Sequence, residues 1–537
     1  MKSLILEELT VEQKIGQLLF VRGYRNEEDK KFVLEMIKNK AVGGVQVRPR
    51  EECLVINPEI LSVADYPILI ANDMECGFPM SEYKLPSPAT LGLTRNIELA
   101  YQAGAVTAIE AKRHGFNMVW GPIVDLLGGN NMCMVPRVLG YEKEDVAKMA
   151  TALIKGYTDN GMVCTAKHWG STVAKGCLDG HMFKPTAPTG NPATTGVSEK
   201  TLKDREMYPY LYAMKNADLS GVMTSHAMLR AIDPEYPTTL SKKNISILRN
   251  AGFDGLMITD SFGMVGILQK FGVDKCYGLA IKAGNDMILP NFTDDFKTTY
   301  NYLLKAYKDG VFTEERLNEA VSRVIKAQNS TLKPATSEYP SEYQKECFKK
   351  IEKDGIIAVS PSGTDIKLDT DTKKLFVLVA ENVYRNDEGE SYEIADVTSI
   401  CGKNIPMIKE SILKRFPGCE IIVINQLPNW QQVMKVCQKA LQVENVIFLT
   451  FVSSTCYCAS ENLTEHITNL MLSMKEKIAA VIHLGNPYAA EKIPHSDRYV
   501  LCVGGDERTE RSVDHALGIL NGEYLPKAKW FEDLDLH

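Results

Sequence analysis

The chain has 537 residues, of which 45% are hydrophobic and 24% charged, and its formal net charge is −7. A chain of this length and composition is expected to form two or more globular domains with sizeable cores. The mild acidity, without any block of Lys or Arg, argues against nucleic acid or an anionic membrane surface as a partner.

The N-terminus and the cysteines predict a cytoplasmic protein. The opening stretch MKSLILEELTVEQKIGQLLF has no apolar core of secretory length, and no apolar run is long enough to span a bilayer. The 13 cysteines have no framework spacing, which is typical of reduced thiols. Cys456 and Cys458 form the one close pair, and no further ligand accompanies them at metal-site spacing, so we expect no metal and no cofactor.

Residues 1 to about 330 alternate short apolar runs with amphipathic segments. A helix is predicted at 10–20, because Thr10 and Gln13 have the spacing of a capping box. Seven buried strands are predicted, and an eighth cannot be placed. The strands are 44–47, 67–71, 117–120, 161–164, 221–224, 255–258 and 285–289, and further helices are 100–113, 145–157, 241–250 and 274–283.

This alternation predicts an α/β chain with an N-terminal TIM-type (β/α)8-like barrel over residues 1–333. A polar linker at 334–345 leads to an α/β sandwich domain with a mostly parallel sheet over 346–537. Its predicted strands are 375–379, 421–424, 446–451, 479–483 and 499–503, and its predicted helices are 408–416, 431–441, 464–476 and 512–520. No GxGxxG follows its first strand and the chain has no phosphate-loop lysine motif, so a nucleotide site has little support.

Ionisable residues follow several predicted barrel strands directly. They are Asp73 and Glu75, Asp125, Lys167 and His168, His226, and Asp260. Because the carboxyl ends of barrel strands form the active rim, these positions jointly predict a catalytic site. The stretch VCTAKHWGSTVAKGCLDGH connects the Lys167-His168 pair to a second pair, Asp179 and His181. The loop at 182–197, rich in Pro, Thr and Gly, is either a lid or an inert insertion.

Several motifs together resemble glycoside hydrolase family three in its two-domain form. LTVEQKIGQLLFV is similar to the opening helix of that family, NDMECG to its acidic turn, and FNMVWGPIVDL and PRVLG to two later segments. The closest match is GVMTSHAMLRAIDPEYPTTLS followed by LRNAGFDGLMITDSFGM. In the second domain LGNPY is the best anchor. Within the family, the chain resembles the bacterial β-N-acetylglucosaminidase branch, because Asp179-Gly180-His181 matches its Asp-x-His dyad.

The resemblance implies a retaining exo-glycosidase that removes terminal β-linked N-acetylglucosamine. Asp260 stands at the position of the nucleophile, which forms a covalent glycosyl-enzyme. His181 stands at the position of the acid/base, with Asp179 as the carboxylate that orients its ring. Asp260 could instead cap a helix, and His181 could be a solvated loop residue.

The same loop departs from the branch motif K-H-F-P-G-H-G-D-T-x-x-D-S-H. This chain lacks the P-G-H-G and is one residue longer between the two pairs. Three alternatives therefore stay open. One is a β-glucosidase or β-xylosidase whose acid/base comes from the second domain, with Glu381, Glu461, Asp506 and Glu507 as candidates. The others are an N-acetylglucosaminide phosphorylase, since a neutral histidine repels phosphate less than a carboxylate does, and a sugar-binding protein with a dead site.

The resemblance also implies substrate contacts. Four residues match positions that hold hydroxyls of the terminal sugar: Asp73, Arg137, Lys167 and His168. Arg and Lys only donate hydrogen bonds and Asp accepts them, so together they could orient a polyol. The alternative is rim ion pairs, such as Asp73 with Lys167. His226 is expected to line the pocket, and Trp169 either stacks on a sugar or packs in the barrel. The predicted partner is an oligosaccharide or glycoside, and the sequence makes no prediction of oligomeric state.

Overall fold

The protein is described by a computed structural model. It describes residues 1–24, 26–128, 134–171, 194–195, 198–291, 293–334, 341–369, 371–380, 383–385, 391–393, 404–452, 463–504 and 509–537. Contacts divide the chain into two compact units. The first comprises 1–84, 96–129 and 142–348, and the second comprises 85–95, 130–141 and 349–537.

The first unit is built on a seven-stranded parallel sheet with the order β1-β2-β3-β4-β5-β7-β9. These strands are β1 Phe20–Val21, β2 Gly44–Gln46, β3 Leu69–Asp73, β4 Met118–Trp120, β5 Val163–Trp169, β7 Gly221–Thr224 and β9 Leu256–Thr259. A separate parallel pair joins β6 Thr194–Thr195 to β8 Met228–Leu229. Parallel pairing puts the carboxyl ends of all seven strands at one edge, and the next residues of the chain form a rim there.

The ring closes through the segment at 285–289. Ile288 bridges Leu19 on one side, and Met287 bridges Ile258 on the other. The backbone N–H of Phe20 donates to the Ile288 carbonyl at 3.1 Å, and that of Thr259 donates to the Met287 carbonyl at 3.1 Å. The seam therefore takes the eighth place in a (β/α)8-type barrel, and the fold class predicted from the sequence is confirmed.

Alternate strand residues form one buried cluster in the first unit. Its strand members are Phe20, Leu69, Ala71, Met118, Trp120, Val163, Met223, Leu256, Ile258, Met287 and Leu289. Successive strand side chains point to opposite faces, so this alternation selects one face of each strand. Phe20 meets Trp120 edge-on, with ring centroids 5.7 Å apart, although β1 and β4 are not neighbours in the sheet. The two rings therefore meet across the interior of the barrel.

Helices alternate with the strands of the first unit. They are α1 Val11–Gln17, α2 Glu27–Lys38, α3 Cys53–Val63, α5 Ile97–Arg113, α6 Lys143–Asp159, α7 Glu199–Thr201, α8 Tyr208–Asn216, α9 Lys242–Asn250, α10 Val265–Phe271, α11 Val273–Ala283, α12 Phe296–Lys308 and α13 Glu314–Ser330. The capping box predicted at Thr10 and Gln13 is present, but α1 ends at Gln17 rather than at Phe20. The first strand occupies the rest of that apolar run.

The second unit has a six-stranded sheet with the order β10-β17-β16-β15-β11-β14, in which only β10 and β17 are antiparallel. The strands are β10 Ile357–Val359, β11 Lys374–Ala380, β14 Glu420–Asn425, β15 Asn445–Val452, β16 Ile478–Gly485 and β17 Tyr499–Val503, and a hairpin joins β12 Val383–Arg385 to β13 Ser391–Glu393. Its helices are α4 Pro88–Thr94, α15 Ile405–Arg415, α16 Trp430–Ala440, α17 Glu465–Leu472 and α18 Thr509–Asn521, and α14 Ser341–Asp354 contains the boundary of the units. The predicted α/β sandwich with a mostly parallel sheet is confirmed.

Two short segments from the N-terminal part of the chain belong to the second unit. Within 85–95, the hydroxyls of Ser87 and Thr90 both donate to the Val503 carbonyl, each at 3.0 Å. The Ala89 N–H donates to the Pro136 carbonyl in 130–141 at 3.0 Å. Since Val503 ends β17, these polar contacts satisfy a carbonyl at the end of the sheet.

In the described part of the chain, none of the helices combines the length and the apolar character that a bilayer crossing requires.

Candidate active site

The candidate site is built from side chains that follow the barrel strands of the first unit. Asp73 ends β3, Lys167 and His168 lie near the carboxyl end of β5, and Asp260 follows β9. Because these strands belong to one parallel sheet, their carboxyl ends lie at one rim. The structure therefore brings together four residues that the sequence singled out.

Lys167 is buried between two carboxylates. Its Nζ lies 2.6 Å from Asp73 Oδ1 and 2.8 Å from Glu75 Oε1. The lysine side chain is 3% exposed, whereas that of Asp73 is 55% exposed. The ion pair that the sequence allowed is thus present, and it leaves much of the Asp73 carboxylate open to solvent, where it can accept further hydrogen bonds.

His168 projects to the rim because of a register irregularity in β5. Lys167 pairs with Met223 and Trp169 with Thr224, so His168 is an extra residue relative to β7. A bulge of this kind re-aims a side chain. In a regular strand Lys167 and His168 would point to opposite faces, and here both reach the rim.

Asp125 fixes the orientation of the His168 ring. Nδ1 of His168 lies 2.8 Å from Asp125 Oδ2, and the backbone N–H of His168 donates to both carboxylate oxygens at 3.2 Å. With Nδ1–H donated to the carboxylate, the other ring nitrogen is left for the rim. Nε2 lies 3.9 Å from Asp260 Oδ2. The histidine therefore lies between the buried carboxylate of Asp125 and the partly exposed one of Asp260.

Asp260 stands at the end of β9 and does not cap a helix. Its backbone N–H donates to the Thr224 carbonyl at 2.9 Å, which anchors it to β7. One carboxylate oxygen, Oδ1, accepts the N–H of Ser261 at 2.7 Å. The next helix, α10, begins at Val265 with Met264 at its N-cap. The side chain is 15% exposed, so a group at the rim can reach it.

His226 and Arg22 support the turn after Asp260. The Nε2–H of His226 donates to the Ser261 carbonyl at 3.0 Å, and Nδ1 lies 2.8 Å from the Thr239 hydroxyl. Arg22, which follows β1, donates from Nη1 to the Ser261 hydroxyl at 2.5 Å and to the Pro290 carbonyl at 2.8 Å. His226 is buried and packs against Phe262. Its predicted place in the pocket lining stays a prediction.

Trp169 packs between β5 and the helices α8 and α9 of the barrel rather than facing the rim. Its side chain is buried, its indole N–H donates to the Asn244 carbonyl at 3.2 Å, and its ring meets Tyr210 edge-on at 5.3 Å. Of the two possibilities raised by the sequence, packing in the barrel is the one observed.

Arg137 lies in the second unit, in the segment 130–141. Its Nη1 is 3.7 Å from Met134 Sδ, and its backbone N–H donates to the Met134 carbonyl at 2.9 Å. Its predicted contact with a sugar hydroxyl stays a prediction.

The predicted acid/base dyad lies outside the described residues. This holds for Asp179 and His181 and for the whole loop at 182–193, 196 and 197. It holds equally for the four alternative acid/base candidates, Glu381, Glu461, Asp506 and Glu507, and for Cys456 and Cys458. Within the parts of the chain that the structure does describe, no three His, Cys, Asp or Glu side chains converge as metal ligands.

A further carboxyl group, that of Glu206, lies close to this site. Burial raises its pKa to about 7, Arg205 lowers it in part, and the charge of Asp125 raises it further. Glu206 precedes α8, in a segment whose sequence resembles an ordinary amphipathic helix. No motif in the sequence pointed to Glu206, whereas Glu75 and Asp125 could be recognised as residues that follow strands.

The arrangement presents a carboxylate and a histidine that face each other, beside a buried lysine held by acceptors. A carboxylate on a rigid strand end can act as a nucleophile or stabilise a cation. Acceptors and donors that surround it can bind the hydroxyls of a polyol.

Known proteins are similar to this chain over both units. The family model described as "Glycosyl hydrolase family 3 N terminal domain" matches residues 10–327. A curated relative named beta-N-acetylglucosaminidase/beta-glucosidase, from Cellulomonas fimi, is 27% identical over 339 residues. That alignment covers 60% of this chain and 57% of the relative, so the chain matches little more than half of the relative's length.

Solved structures share the fold across nearly the whole chain. A family 3 beta-N-acetylglucosaminidase from Paenibacillus sp. str. FPU-7 superposes with a TM-score of 0.77 at 22% identity, covering 97% of this chain and 98% of that one. A beta-glucoside phosphorylase, BglX, superposes with a TM-score of 0.79 at 20% identity, covering 98% and 94%. At these identities the likeness establishes the fold.

Proposed function

This chain belongs to glycosyl hydrolase family 3, and on that premise we propose that it removes terminal β-linked N-acetylglucosamine from oligosaccharides or glycosides, with retention of configuration. Asp260 is the nucleophile in this proposal. It attacks the anomeric carbon as the glycosidic bond breaks, the aglycone leaves with a proton from the acid, and water then releases the sugar from the glycosyl-aspartate.

The observation that carries the proposal is the setting of Asp260. The carboxylate follows a buried strand, is held by backbone contacts to Thr224 and Ser261, and remains partly exposed. A nucleophile needs a fixed approach to the anomeric carbon, and these contacts restrict its rotation. His168 faces it, with Nε2 at 3.9 Å from Oδ2.

The acid/base is proposed to be His181, oriented by Asp179, by the resemblance alone. A histidine can give up a proton to the leaving group and recover it from the attacking water near neutral pH. The sugar hydroxyls are proposed to contact Asp73, Arg137, Lys167 and His168, with His226 lining the pocket. The exposed oxygen of Asp73 and the donors beside it support hydroxyl binding.

The preference for N-acetylglucosamine follows the naming of relatives. Curated relatives such as that from Tolumonas auensis are named beta-hexosaminidase, and the Cellulomonas fimi relative carries both an N-acetylglucosaminidase and a glucosidase name. The cytoplasmic location is part of the same proposal and is supported by the free thiols of the eight cysteines that the structure describes.

Asp260→Asn tests the nucleophile. Turnover of aryl β-glycosides should fall by about 10⁴-fold or more, because the amide cannot form the covalent intermediate. The control is Asp309→Asn, which changes an exposed carboxylate that pairs with Lys305 on the surface. Steady-state kinetics and a thermal melt of both variants give the result. Substantial residual activity in a folded Asp260→Asn variant would sink the assignment.

His181→Ala tests the acid. Substrates with poor leaving groups should slow by about 10² to 10³-fold, while activated aryl glycosides should slow far less, because protonation of the aglycone matters most for the former. An equal loss on both kinds of substrate would speak against His181 as the acid.

A panel of aryl β-glycosides, run with and without phosphate, tests the substrate. Preference for the N-acetylglucosaminide supports the proposal, and preference for the glucoside or xyloside supports the β-glucosidase or β-xylosidase alternative. Release of a sugar 1-phosphate, faster with phosphate than with water, supports a phosphorylase. No turnover of any member favours a sugar-binding protein.

A further inference from the structure

The guanidinium group of Arg22 spans the seam of the barrel at its carboxyl rim. Arg22 directly follows β1, and its Nη1 donates both to the hydroxyl of Ser261 at 2.5 Å and to the Pro290 carbonyl at 2.8 Å. Ser261 is the second residue after β9, and Pro290 follows the seam segment at 285–289. One nitrogen atom therefore joins the ends of β1, of β9 and of the segment between them.

Contacts hold Ser261 through both its hydroxyl and its carbonyl. Its Oγ accepts from Arg22 and also from the Gly263 N–H at 3.0 Å, so both acceptor positions of the hydroxyl oxygen are used. The Ser261 carbonyl accepts from Nε2 of His226 at 3.0 Å. Of the two donors to the hydroxyl, Arg22 is the charged one, and charge-assisted hydrogen bonds are roughly twice as strong as neutral ones. Ser261 is buried, so water competes little for these bonds.

These contacts bear directly on the carboxylate of Asp260. The Ser261 N–H donates to Asp260 Oδ1 at 2.7 Å, and the Asp260 N–H donates to the Thr224 carbonyl at 2.9 Å. The Ser261 N–H lies in the rigid peptide plane that joins the two residues, so its direction depends on where Ser261 is held. With Oδ1 fixed in this way, Oδ2 is the oxygen that faces His168, 3.9 Å from Nε2.

Arg249, at the other end of β9, provides a comparison. Its Nη1 donates to the carbonyls of Phe253 and Gly255, at 3.0 and 2.7 Å, directly before β9 begins, and the same guanidinium group pairs with a buried carboxylate. Both arginines therefore fix one end of the strand. Arg22 differs because one of its two acceptors is the hydroxyl of Ser261, whose backbone N–H contacts the carboxylate that is proposed to react.

We propose that Arg22 is a positioning residue for the nucleophile. By holding Ser261 across the seam, it keeps the Ser261 N–H on Oδ1 of Asp260 and leaves Oδ2 directed to the rim for attack on the anomeric carbon. The inference takes Asp260 as the reacting carboxylate and in that respect rests on the proposed function. Loss of Arg22 should slow the attack more than it weakens substrate binding, because a misdirected carboxylate still occupies the same site.

Arg22→Met is the first test, because it keeps the apolar part of the side chain and removes the donor. With the best aryl β-glycoside of the panel, rapid mixing measures release of the aryl group in the first turnover, and its dependence on substrate concentration gives the Kd. The rate of this step at saturation should fall by about 30- to 100-fold, as expected for a misplaced reacting group, while Kd stays within about threefold. An unchanged rate in a folded variant overturns the proposal.

Two further variants separate positioning from stability. Arg22→Lys should keep the rate of the first turnover within about fivefold of the wild type, because both hydrogen bonds come from one nitrogen and an ammonium group can donate both. Arg249→Met is the matched control at the amino end of β9. It should lower the melting temperature at least as much as Arg22→Met, and below its unfolding transition it should leave the rate within about twofold. Equal slowing by both methionine variants would mean that any loosening of β9 slows the reaction, which overturns the proposal.

Ser261→Ala removes the acceptor of the same contact. It should slow the first turnover by about tenfold or more, and the double variant with Arg22→Met should be slower than Arg22→Met alone by no more than about twofold, because both substitutions break one hydrogen bond. Losses that multiply in the double variant overturn the proposal. So does an unchanged rate in Ser261→Ala, and this outcome can be read even where Arg22→Met does not fold.

A third measurement uses crystals and no substrate. In the wild type, Oδ1 of Asp260 should accept the Ser261 N–H in a single side-chain conformer. In Arg22→Met the carboxylate should lose this contact or divide between conformers, while in Arg249→Met and Arg22→Lys it should remain as in the wild type. A carboxylate that keeps one conformer and its contact in Arg22→Met overturns the proposal.

The measurements separate this inference from the function on which it rests. If no glycoside is turned over, the proposed function fails, while a carboxylate displaced in Arg22→Met still supports the control of Asp260 by Arg22. If glycosides are turned over and the rate is insensitive to Arg22, the proposed function stands and the role of Arg22 is wrong.

Discussion

Two charge clusters in the barrel are built on opposite principles. The first, the Asp286 cluster, is centred on one buried carboxylate. Asp286 forms ion pairs with three arginines: Arg249 at 2.6 Å, Arg316 at 2.6 Å and Arg323 at 3.4 Å. In the rim cluster, Lys167 and His168 face four carboxylates, those of Asp73, Glu75, Asp125 and Asp260. One cluster has more cations than anions, and the other has more anions than cations.

The difference indicates that the Asp286 cluster stabilises the fold, whereas the rim cluster is available to bind a ligand. Asp286 is 0% exposed, and one of its oxygens also accepts the Met257 N–H at 2.9 Å, so this carboxylate is closed to any ligand. Burial lowers the pKa of Arg249 and the neighbouring guanidinium groups lower it further, whereas Asp286 raises it. Asp286 is the carboxylate that all three arginines share. At the rim, by contrast, acceptors remain exposed, and a polyol can supply the donors that they lack.

Asp286→Asn should have the largest effect on the fold. Removing the charge takes away the buried anion that the three guanidinium groups share, and the free energy of unfolding should drop by about 3–5 kcal/mol, as is typical when one partner of a buried ion pair is lost. Urea denaturation measures this change. Below the unfolding transition, kcat should stay within about twofold of the wild type, because the cluster does not touch the rim.

Asp254→Asn is the matched control for that experiment. Asp254 is exposed and pairs with Arg323 and Lys326, so its loss should cost less than about 1 kcal/mol. Equal destabilisation by the two variants would remove the contrast between a closed buried cluster and a surface pair.

The ionisation of Glu206 should make the free energy of unfolding depend on pH. Its pKa rises from the ordinary 4.5 unfolded to about 7 folded, so the folded protein binds the proton more tightly. The resulting stability is fully present below pH about 4.5 and is lost as the pH rises through about 7, a change of about 3 kcal/mol. Denaturation at a series of pH values should show this loss in the wild type and in the control Asp204→Asn, which changes an exposed carboxylate two residues before Glu206, and not in Glu206→Gln.

Lys167→Met tests the rim cluster through activity. The substitution keeps most of the unbranched apolar side chain and removes the cation between Asp73 and Glu75, which then repel each other and move from their places. We expect kcat/KM to fall by about 100-fold, which corresponds to about 2.7 kcal/mol. Steady-state kinetics at saturating and limiting substrate separate the effects on kcat and KM. An unchanged kcat/KM would mean that the rim carboxylates are positioned without the lysine.

The barrel could be predicted from apolar runs because buried parallel strands are continuously hydrophobic. The first strand could not, because Phe20–Val21 shares the run QLLFV with the end of the preceding helix, and hydrophobicity alone does not divide such a run. The predicted strand at 285–289 forms only bridges, at Met287 and Ile288. Its extent is set by the register of its two neighbours, which lie far away in sequence.

The candidate site was predictable where a residue follows a strand and hidden where it depends on a distant partner. Asp73, Lys167 and Asp260 follow from strand ends and the parallel fold. The pairing of His168 with Asp125 joins residues 43 positions apart and requires the bulge in β5. In the sequence, Glu206 stands where an ordinary helix would face solvent. The π-helical turn at Leu202–Glu206 and the packing around it bury the side chain.

The seam of the barrel also bears on how firmly the candidate nucleophile is held. The Ile288 N–H donates to the Leu18 carbonyl, two residues before β1, at 2.8 Å, and the Leu289 N–H donates to the hydroxyl of Thr259, the residue before Asp260, at 3.0 Å. Proteins open locally where few bonds join their elements, and a seam of bridges is such a place. Each opening would release Thr259 from Leu289, so hydrogen exchange at the amide of Leu289 reports how often the carboxylate of Asp260 loses its fixed direction.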